Sequence, residues 1–287
     1  MSEALTLVLK ADCELAESPV WLAEQKVLAF VDITGQRIHR FDPVSGAHRI
    51  DAVDEDIGCL APAKGGGFVA GMRSGLWLLD DKGKKVREVA VNPENPATNR
   101  FNDGKADPVG RYFAGTMDAP KAGGTAGLYR FDRRGVQRVA DGILTSNGMA
   151  FSPDGRTLYH SDTPRFVIWA WDYDPATGEA TSRREFVRIQ PTDDDRGRPD
   201  GAAVDAGGGY WSAMYEGSRV NRYSPGGDLL GQYPLPARKV TMPAFGGEGL
   251  KTLFVTTAAD EGREGGGLYA CEPGVAGLPI LPYDPEA

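Results

Sequence analysis

Six copies of a short phrase recur along this chain at intervals of about 40 to 50 residues. Each copy has a variable first residue, then a glycine or proline among small or apolar residues, and leads through a turn into an aromatic-rich strand. The variable residues, in chain order, are Glu17, Ile57, Asn102, Asn147, Asp200 and Thr241. Four of them end in a carboxylate or a carboxamide, groups that bind hard or borderline divalent cations through oxygen.

These side chains can act together only if the fold brings the copies to one place. A strand-rich unit repeated six times in 287 residues, about 48 residues per unit, predicts an all-β, six-bladed β-propeller with four-stranded blades. Equivalent positions on the innermost strands of such a propeller converge on a central channel. The sequence therefore predicts that Glu17, Asn102, Asn147 and Asp200 form an oxygen cage for a divalent cation.

The residues alone leave alternatives open for this cage. Two facing carboxylates repel each other and raise a pKa unless a cation or an arginine lies close, and Arg100 is a candidate for that arginine. Alternatively, the polar side chains bind backbone groups or water in a solvated channel, and Arg100 lies in a surface loop.

Strand patterns dominate the chain. Period-two alternation and aromatic clusters mark strands such as 37–42, 76–80 and 167–173, whereas no segment shows a sustained helical period, so helices are expected to be scarce. The sixth unit is one strand short, and residues 5–9 form a strand without a local partner. We expect this N-terminal strand to complete the last blade and close the ring, with residues 1–287 forming a single propeller domain.

The composition excludes several classes of protein. The chain carries 40 acidic and 32 basic residues, a net charge of −8, which disfavours nucleic acid as a partner. The N-terminus lacks the basic start and apolar run of a signal peptide, and no stretch approaches the length of a transmembrane helix. A cytoplasmic protein without a membrane partner is expected, and closed propellers often act as monomers.

Other catalytic groups find little support in the sequence. No nucleophile elbow or phosphate-binding loop is present. The three cysteines show no metal-ligand spacing, and none has an evident histidine partner. His39, His48 and His160 share no spacing and are expected on strands or at the surface, so a histidine-rich zinc site is not expected.

Several motifs in order make the chain resemble the SMP-30/gluconolactonase/regucalcin-like family of six-bladed propellers. They are Glu17-Ser18-Pro19-Val20-Trp21, Asn99-Arg100-Phe101-Asn102-Asp103-Gly104-Lys105, Ala114-Gly115-Thr116-Met117, Ser146-Asn147-Gly148-Met149-Ala150 and Pro199-Asp200-Gly201. The resemblance covers nearly the whole chain. It implies one divalent metal ion held by Glu17, Asn147 and Asp200, with Arg100 and Asn102 as substrate contacts. The identity of the metal is left open among Ca²⁺, Zn²⁺, Mn²⁺, Mg²⁺ and Fe²⁺.

The resemblance also implies an activity, the hydrolysis of a small sugar lactone. Glucono-, xylono- and arabinonolactone are examples of the expected aldonolactones, and the carboxylic ester bond of the ring is the bond cleaved. The metal would activate a water and polarise the carbonyl, and Asp200 is the candidate general base. Two alternatives are a calcium- or ligand-binding regulatory propeller without turnover and a phosphotriesterase-like hydrolase.

One departure from the family pattern concerns substrate preference. Animal members carry a second acidic substrate contact shortly after the Gly-Thr-Met motif, where this chain has Asp118 directly after Met117 and then Pro120. The role of Asp118 and of the loop around Pro120 is therefore not carried over.

Overall fold

The protein forms a ring of six four-stranded antiparallel sheets. The coordinates are a computed structural model, which describes residues 4–120 and 123–287. The innermost strands of neighbouring sheets contact one another around the ring, and the last contacts the first. This is the six-bladed β-propeller that the sequence predicts.

The blades follow one another along the chain, and each begins at its innermost strand. Blade 1 consists of β2 (Ala16–Leu22), β3 (Val27–Asp32), β4 (Arg37–Phe41) and β5 (His48–Ala52). Blade 2 consists of β6 (Ile57–Pro62), β7 (Phe68–Met72), β8 (Gly75–Leu79) and β9 (Lys85–Val91). Blade 3 consists of β10 (Asn99–Ala106), β11 (Tyr112–Asp118), β12 (Ala126–Asp132) and β13 (Gly135–Ile143).

The second half of the ring repeats the arrangement. Blade 4 consists of β14 (Ser146–Phe151), β15 (Thr157–Asp162), β16 (Val167–Asp174) and β17 (Glu179–Arg188). Blade 5 consists of β18 (Arg198–Val204), β19 (Tyr210–Tyr215), β20 (Arg219–Tyr223) and β21 (Leu229–Pro234). Blade 6 consists of β22 (Val240–Gly246), β23 (Thr252–Thr257), β24 (Leu268–Cys271) and, as its outermost strand, β1 (Thr6–Leu9).

The N-terminal strand closes the ring, as predicted. β1 pairs antiparallel with β24, with Thr6 opposite Ala270 and Leu7 opposite Tyr269. Blades 6 and 1 also meet through side chains, since Trp21 stacks on Phe254 with 6.1 Å between ring centroids. Pairing the first strand with the last blade leaves the ring without an open seam.

The hydrophobic core is divided among the blade interfaces. Each of six clusters of buried side chains joins two adjacent blades; Val31 and Ile57, for example, pack together between blades 1 and 2. Innermost strands such as β2, β14 and β22 are buried throughout, whereas the outermost strands are largely exposed. Buried polar side chains such as Glu17 and Asn147 lie near the start of these innermost strands.

Helix is scarce, as the sequence predicts. The described residues contain two helices, the three-residue 3-10 segments Thr163–Arg165 and Glu248–Leu250. No helix in the described ranges is long and apolar enough to cross a membrane.

The C-terminal segment crosses one end of the channel. Its backbone bonds to blade 5 through Ala206 and Ala276, to blade 2 through Lys64 and Tyr283, and to blade 3 through Gly110 and Asp284. Beneath it lies a cavity of about 250 Å³, lined by the innermost strands and by residues 278–281. The cavity lining includes Ser18, Gly104 and Lys105 but none of the predicted cage residues.

Candidate active site

The repeated phrase is the site of a β-bulge in every innermost strand. Pairing with the second strand of the blade shifts register after Glu17, Ile57, Phe101, Asn147, Pro199 and Val240. A bulge kinks the strand and redirects the side chains beside it. The predicted cage residues lie at or beside these kinks, which explains why the phrase recurs with small residues and glycines.

Four predicted site residues form one buried chain of hydrogen bonds across three blades. Arg100 Nη1 donates to Asn102 Oδ1 at 2.8 Å, and Asn102 Nδ2 donates to Asn147 Oδ1 at 2.9 Å. Asn147 Nδ2 then donates to Asp200 Oδ1 at 2.5 Å. The structure therefore brings together Arg100, Asn102, Asn147 and Asp200 from blades 3, 4 and 5.

Glu17 faces this chain from blade 1. Its side chain is buried, and Oε2 accepts a hydrogen bond from the backbone N–H of Ser18 at 2.7 Å. Burial raises the pKa of the Glu17 carboxyl well above its usual value, and the negative charges of Asp200 and Asp103 add to that rise. The negative charges of Glu17 and Asp200 are therefore close enough to repel each other.

Arg100 supplies positive charge to the site. It lies buried on β10, not in a surface loop, and its Nη1 also donates to the Phe101 carbonyl at 2.9 Å. Burial lowers the pKa of the guanidinium to about 10, and the nearby Asp56 carboxylate opposes that shift. Arg100 therefore keeps its charge at neutral pH.

The remaining two copies of the phrase add no ligand-like side chain to the channel. Ile57 is fully buried in the core between blades 1 and 2. Thr241 Oγ1 donates to the Ala16 carbonyl at 2.6 Å and lies 2.8 Å from Thr256 Oγ1. At the equivalent positions, blade 2 therefore contributes a core residue, and blade 6 contributes a hydrogen bond to blade 1.

Two residues that the sequence did not single out hold the site in place. Asp103 is buried and accepts hydrogen bonds from the backbone N–H groups of Gly104 at 2.7 Å and of Met149 at 2.9 Å. This carboxylate ties blade 3 to blade 4 next to the Asn102–Asn147 contact. Thr163 Oγ1 accepts from Asn147 Nδ2 at 2.8 Å and donates to the Pro199 carbonyl at 2.7 Å.

Neither role is marked by a signal in the sequence. Asp103 belongs to the phrase that begins at Asn102, but nothing in its spacing distinguishes an inward carboxylate from a turn residue. Thr163 follows β15 in a 3-10 segment, and its contact with the Pro199 carbonyl depends on how blades 4 and 5 pack.

Asp118, whose role the family pattern leaves open, anchors a loop. It is buried at the end of β11, and its Oδ2 accepts a hydrogen bond from the Gly123 backbone N–H at 3.0 Å. The carboxylate therefore holds the loop that contains Pro120, of which residues 121–122 lie outside the described part of the chain.

Comparison with known proteins agrees with this fold. Residues 15–259 match the SMP-30/Gluconolactonase/LRE-like region. The protein belongs to this family of propellers.

Individual relatives are similar over most of their length. A 6-deoxy-6-sulfogluconolactonase of Pseudomonas putida is 42% identical over 263 residues, which are 91% of this chain and 89% of the relative. A pentonolactonase of Haloferax volcanii is 38% identical over 261 residues, 90% of this chain and 86% of the relative. The crystal structure of a calcium-binding protein, regucalcin, from Agrobacterium tumefaciens superposes with a TM-score of 0.91 at 24% identity, covering 98% of this chain and 97% of that one. That likeness supports the fold.

Proposed function

We propose that this protein hydrolyses the ring ester of sugar lactones, with a divalent cation held by Glu17, Asn147 and Asp200. The observation that carries the proposal is the buried chain from Arg100 through Asn102 and Asn147 to Asp200, with Glu17 facing it. Two relatives that are named as lactonases of sugar acids support the substrate class. Aldonolactones of five or six carbons, such as glucono-, xylono- or arabinonolactone, are the proposed substrates.

The residues present fit a divalent cation. Two buried carboxylates and a carboxamide are oxygen donors, the set that Ca²⁺, Mg²⁺ and Mn²⁺ accept and that Zn²⁺ and Fe²⁺ also tolerate. The raised pKa of Glu17 arises from burial beside the charges of Asp200 and Asp103, a repulsion that a cation would relieve. When bound, the cation would polarise the lactone carbonyl and lower the pKa of a nearby water.

Asp200 is the proposed general base. Its Oδ1 is oriented by Asn147 Nδ2, so the carboxylate is held in one position on β18. As a water attacks the lactone carbonyl carbon, Asp200 takes the proton that the water loses. The bond between the carbonyl carbon and the ring oxygen then breaks, and Asp200 returns the proton to that oxygen, which leaves as a hydroxyl. One water is consumed, and the product is the open-chain sugar acid.

Arg100 and Asn102 are the proposed substrate contacts. The guanidinium keeps a positive charge in a buried setting, where it adds positive potential for the oxyanion and hydrogen bonds for sugar hydroxyls. Asn102 is fixed from two sides, because Nδ2 donates to the Ser146 carbonyl at 3.0 Å and to Asn147. The rigid pair would orient the sugar beside Asp200.

Replacing Arg100 with alanine is expected to raise KM for an aldonolactone by about tenfold to a hundredfold, with a smaller fall in kcat. The reason is that a charge-assisted hydrogen bond to the substrate contributes about 1.5 to 3 kcal/mol. Initial rates across a range of lactone concentrations measure both constants. Equal losses in kcat and kcat/KM with an unchanged KM would contradict a binding role for Arg100.

The stabilisation of the protein by added Ca²⁺ is expected to grow as pH rises above the ordinary pKa of a glutamate, about 4.3. Because burial raises the pKa of Glu17 and Asp103 in the folded, metal-free protein, the folded state binds more protons than the unfolded state above the ordinary pKa of these carboxyls. Its stability therefore falls as pH rises through the raised pKa values. A cation replaces the proton and offsets the repulsion.

Thermal melts with chelator or with CaCl2 at each pH measure this difference. Glu17→Gln removes the proposed ligand whose pKa is raised and should flatten the dependence. A Ca²⁺-induced shift in Tm that is the same at every pH would contradict the assignment of Glu17 to the cation site.

Rates on two substrate classes test the proposed reaction. Acid release from glucono-1,5-lactone, followed after subtraction of spontaneous hydrolysis, should exceed turnover of a phosphotriester by orders of magnitude. A higher kcat/KM for the phosphotriester would overturn the lactone assignment in favour of a phosphotriesterase-like hydrolase.

A further inference from the structure

A second cluster of metal-ligand side chains lies away from the channel, where the chain passes from the last blade to the first. Residues 10–15 join β1, the outermost strand of blade 6, to β2, the innermost strand of blade 1. Cys13 lies in this linker, whereas Asp32 ends β3 and His39 lies on β4 of blade 1. All three side chains are buried.

The three side chains have the spacing of ligands around one metal ion. One ligand atom from each of Cys13, Asp32 and His39 lies within 4.8 Å of the others. The distance from Cys13 Sγ to His39 Nε2 is 3.6 Å. In a tetrahedral zinc site with usual Zn–S and Zn–N bonds, sulfur and nitrogen are about 3.6 Å apart.

His39 is oriented for this role by its neighbours. Its other ring nitrogen, Nδ1, lies 2.9 Å from His48 Nε2 on the adjacent strand, and Phe30 stacks on its ring at 4.7 Å between centroids. A ligating histidine commonly engages its second nitrogen in this way, which fixes the ring and the tautomer. Nε2 of His39 is thereby directed at the Cys13 sulfur.

Asp32 is likewise fixed, by hydrogen bonds from backbone N–H groups. Asp162 makes the same kind of contact in blade 4 and serves as a comparison. The oxygens of Asp32 accept hydrogen bonds from the N–H groups of Glu14 at 3.2 Å and Leu15 at 2.9 Å. Asp162 ends the second strand of blade 4 and binds the equivalent N–H groups of Leu144 and Thr145. Asp162 pairs in addition with Arg165 and not with a thiol or an imidazole, so the anchoring role of Asp32 does not account for Cys13 and His39.

We propose that Cys13, Asp32 and His39 bind a zinc ion, separate from the cation of the channel. One thiolate, one imidazole and one carboxylate are ligands that Zn²⁺ prefers, and water would take the fourth position. Binding releases the thiol proton of Cys13 to the solvent. The ion would fasten the linker to blade 1 and so reinforce the ring at its point of closure. The expectation that no cysteine has a histidine partner was wrong, because Cys13 contacts His39.

Cobalt titration tests the proposal on the whole protein. Chelator-stripped protein titrated with Co²⁺ should develop a sulfur-to-cobalt charge-transfer band, which the oxygen ligands of the channel site cannot produce. Cys13→Ser should lose the band, whereas Cys271→Ser, which removes a buried thiol elsewhere, should keep it. Absence of the band in fully loaded wild-type protein, or its persistence in Cys13→Ser, would overturn the proposal.

Zinc-dependent stability gives a second readout that does not require Cys13→Ser to fold normally. In Asp200→Ala, which lacks one of the three proposed channel ligands, one equivalent of Zn²⁺ should bind and raise Tm by several degrees. No zinc-dependent rise in Tm and no bound equivalent in this variant would show that Cys13 and His39 form only a buried hydrogen bond.

Discussion

Replacing Asp200 with asparagine is expected to lower kcat for lactone hydrolysis by about a thousandfold to ten-thousandfold at saturating metal. Asparagine keeps the size of the side chain and an oxygen that can still bind a cation, but it cannot accept the proton of the attacking water. Loss of a positioned general base alone removes about two to four orders of magnitude. Rates measured with each cation raised to saturation separate this loss from weaker metal binding.

A buried carboxylate of the same blade provides the control. Asp205 is also buried in blade 5, but its oxygens bind the N–H groups of Gly207 and Gly209, the Trp211 indole and Arg222. Asp205→Asn should lower stability without changing kcat per folded molecule. If Asp200→Asn kept kcat within tenfold of the wild type, Asp200 would not be the base.

Gly148→Ala is expected to reduce both stability and activity strongly. Gly148 follows Asn147 in the bulge of β14 with φ of +62°, and a Cβ there would lie 2.6 Å from Ser161 Oγ and from Tyr210 Oη. The same Cβ would lie 3.0 Å from the Asp200 carbonyl oxygen. The contact with the Asp200 carbonyl involves backbone, so its relief would shift the strands that carry Asn147 and Asp200. A displacement of about 1 Å at reacting groups costs about a hundredfold in rate.

A second glycine separates backbone strain from steric contact. Gly142 in β13 has a similar φ of +67°, but a Cβ there would meet nothing within 4 Å. Gly142→Ala should therefore cost only the penalty of a left-handed alanine, about 1 kcal/mol, without loss of kcat/KM. We expect Gly148→Ala to cost about 2 to 4 kcal/mol, as measured by urea unfolding.

Equal destabilisation by Gly142→Ala and Gly148→Ala, with unchanged turnover in both, would contradict this role of the bulge. In that case the close approach of blades 4 and 5 would not position the site.

The sequence was most informative where buried strands repeat. Apolar and aromatic residues mark the three inner strands of most blades, and the recurring phrase marks each bulge, so the six blades can be counted from the sequence alone. The unpaired strand before the first blade indicated closure, and β1 confirms it. Outermost strands such as β5, β13 and β17 were harder to place individually, because they are largely exposed and lack an apolar alternation.

The candidate site was predictable for the residues that start the innermost strands. Radial symmetry makes Glu17, Asn147 and Asp200 converge although the chain separates them widely. The supports were not predictable in the same way. Asp103 binds the backbone of the next blade, and Thr163 links Asn147 of its own blade to the Pro199 carbonyl of blade 5, so neither role depends on a regular spacing in the sequence.

The contacts at the point of ring closure could not be predicted from the sequence either. Cys13 meets His39 because the linker after β1 folds back on blade 1, a geometry set by ring closure. His39 and His160 do lie on strands, as expected, but both are buried. The positions of these histidines in the sequence do not show how deeply their side chains are buried.

The most direct test of the proposed lactonase activity is acid release from a panel of aldonolactones, using chelator-stripped protein to which single divalent cations are returned. We expect no turnover above the spontaneous rate without metal and restored turnover with at least one cation. Tight binding of cations at Glu17, Asn147 and Asp200 without turnover of any lactone would contradict this function, and would identify the protein as a binding propeller.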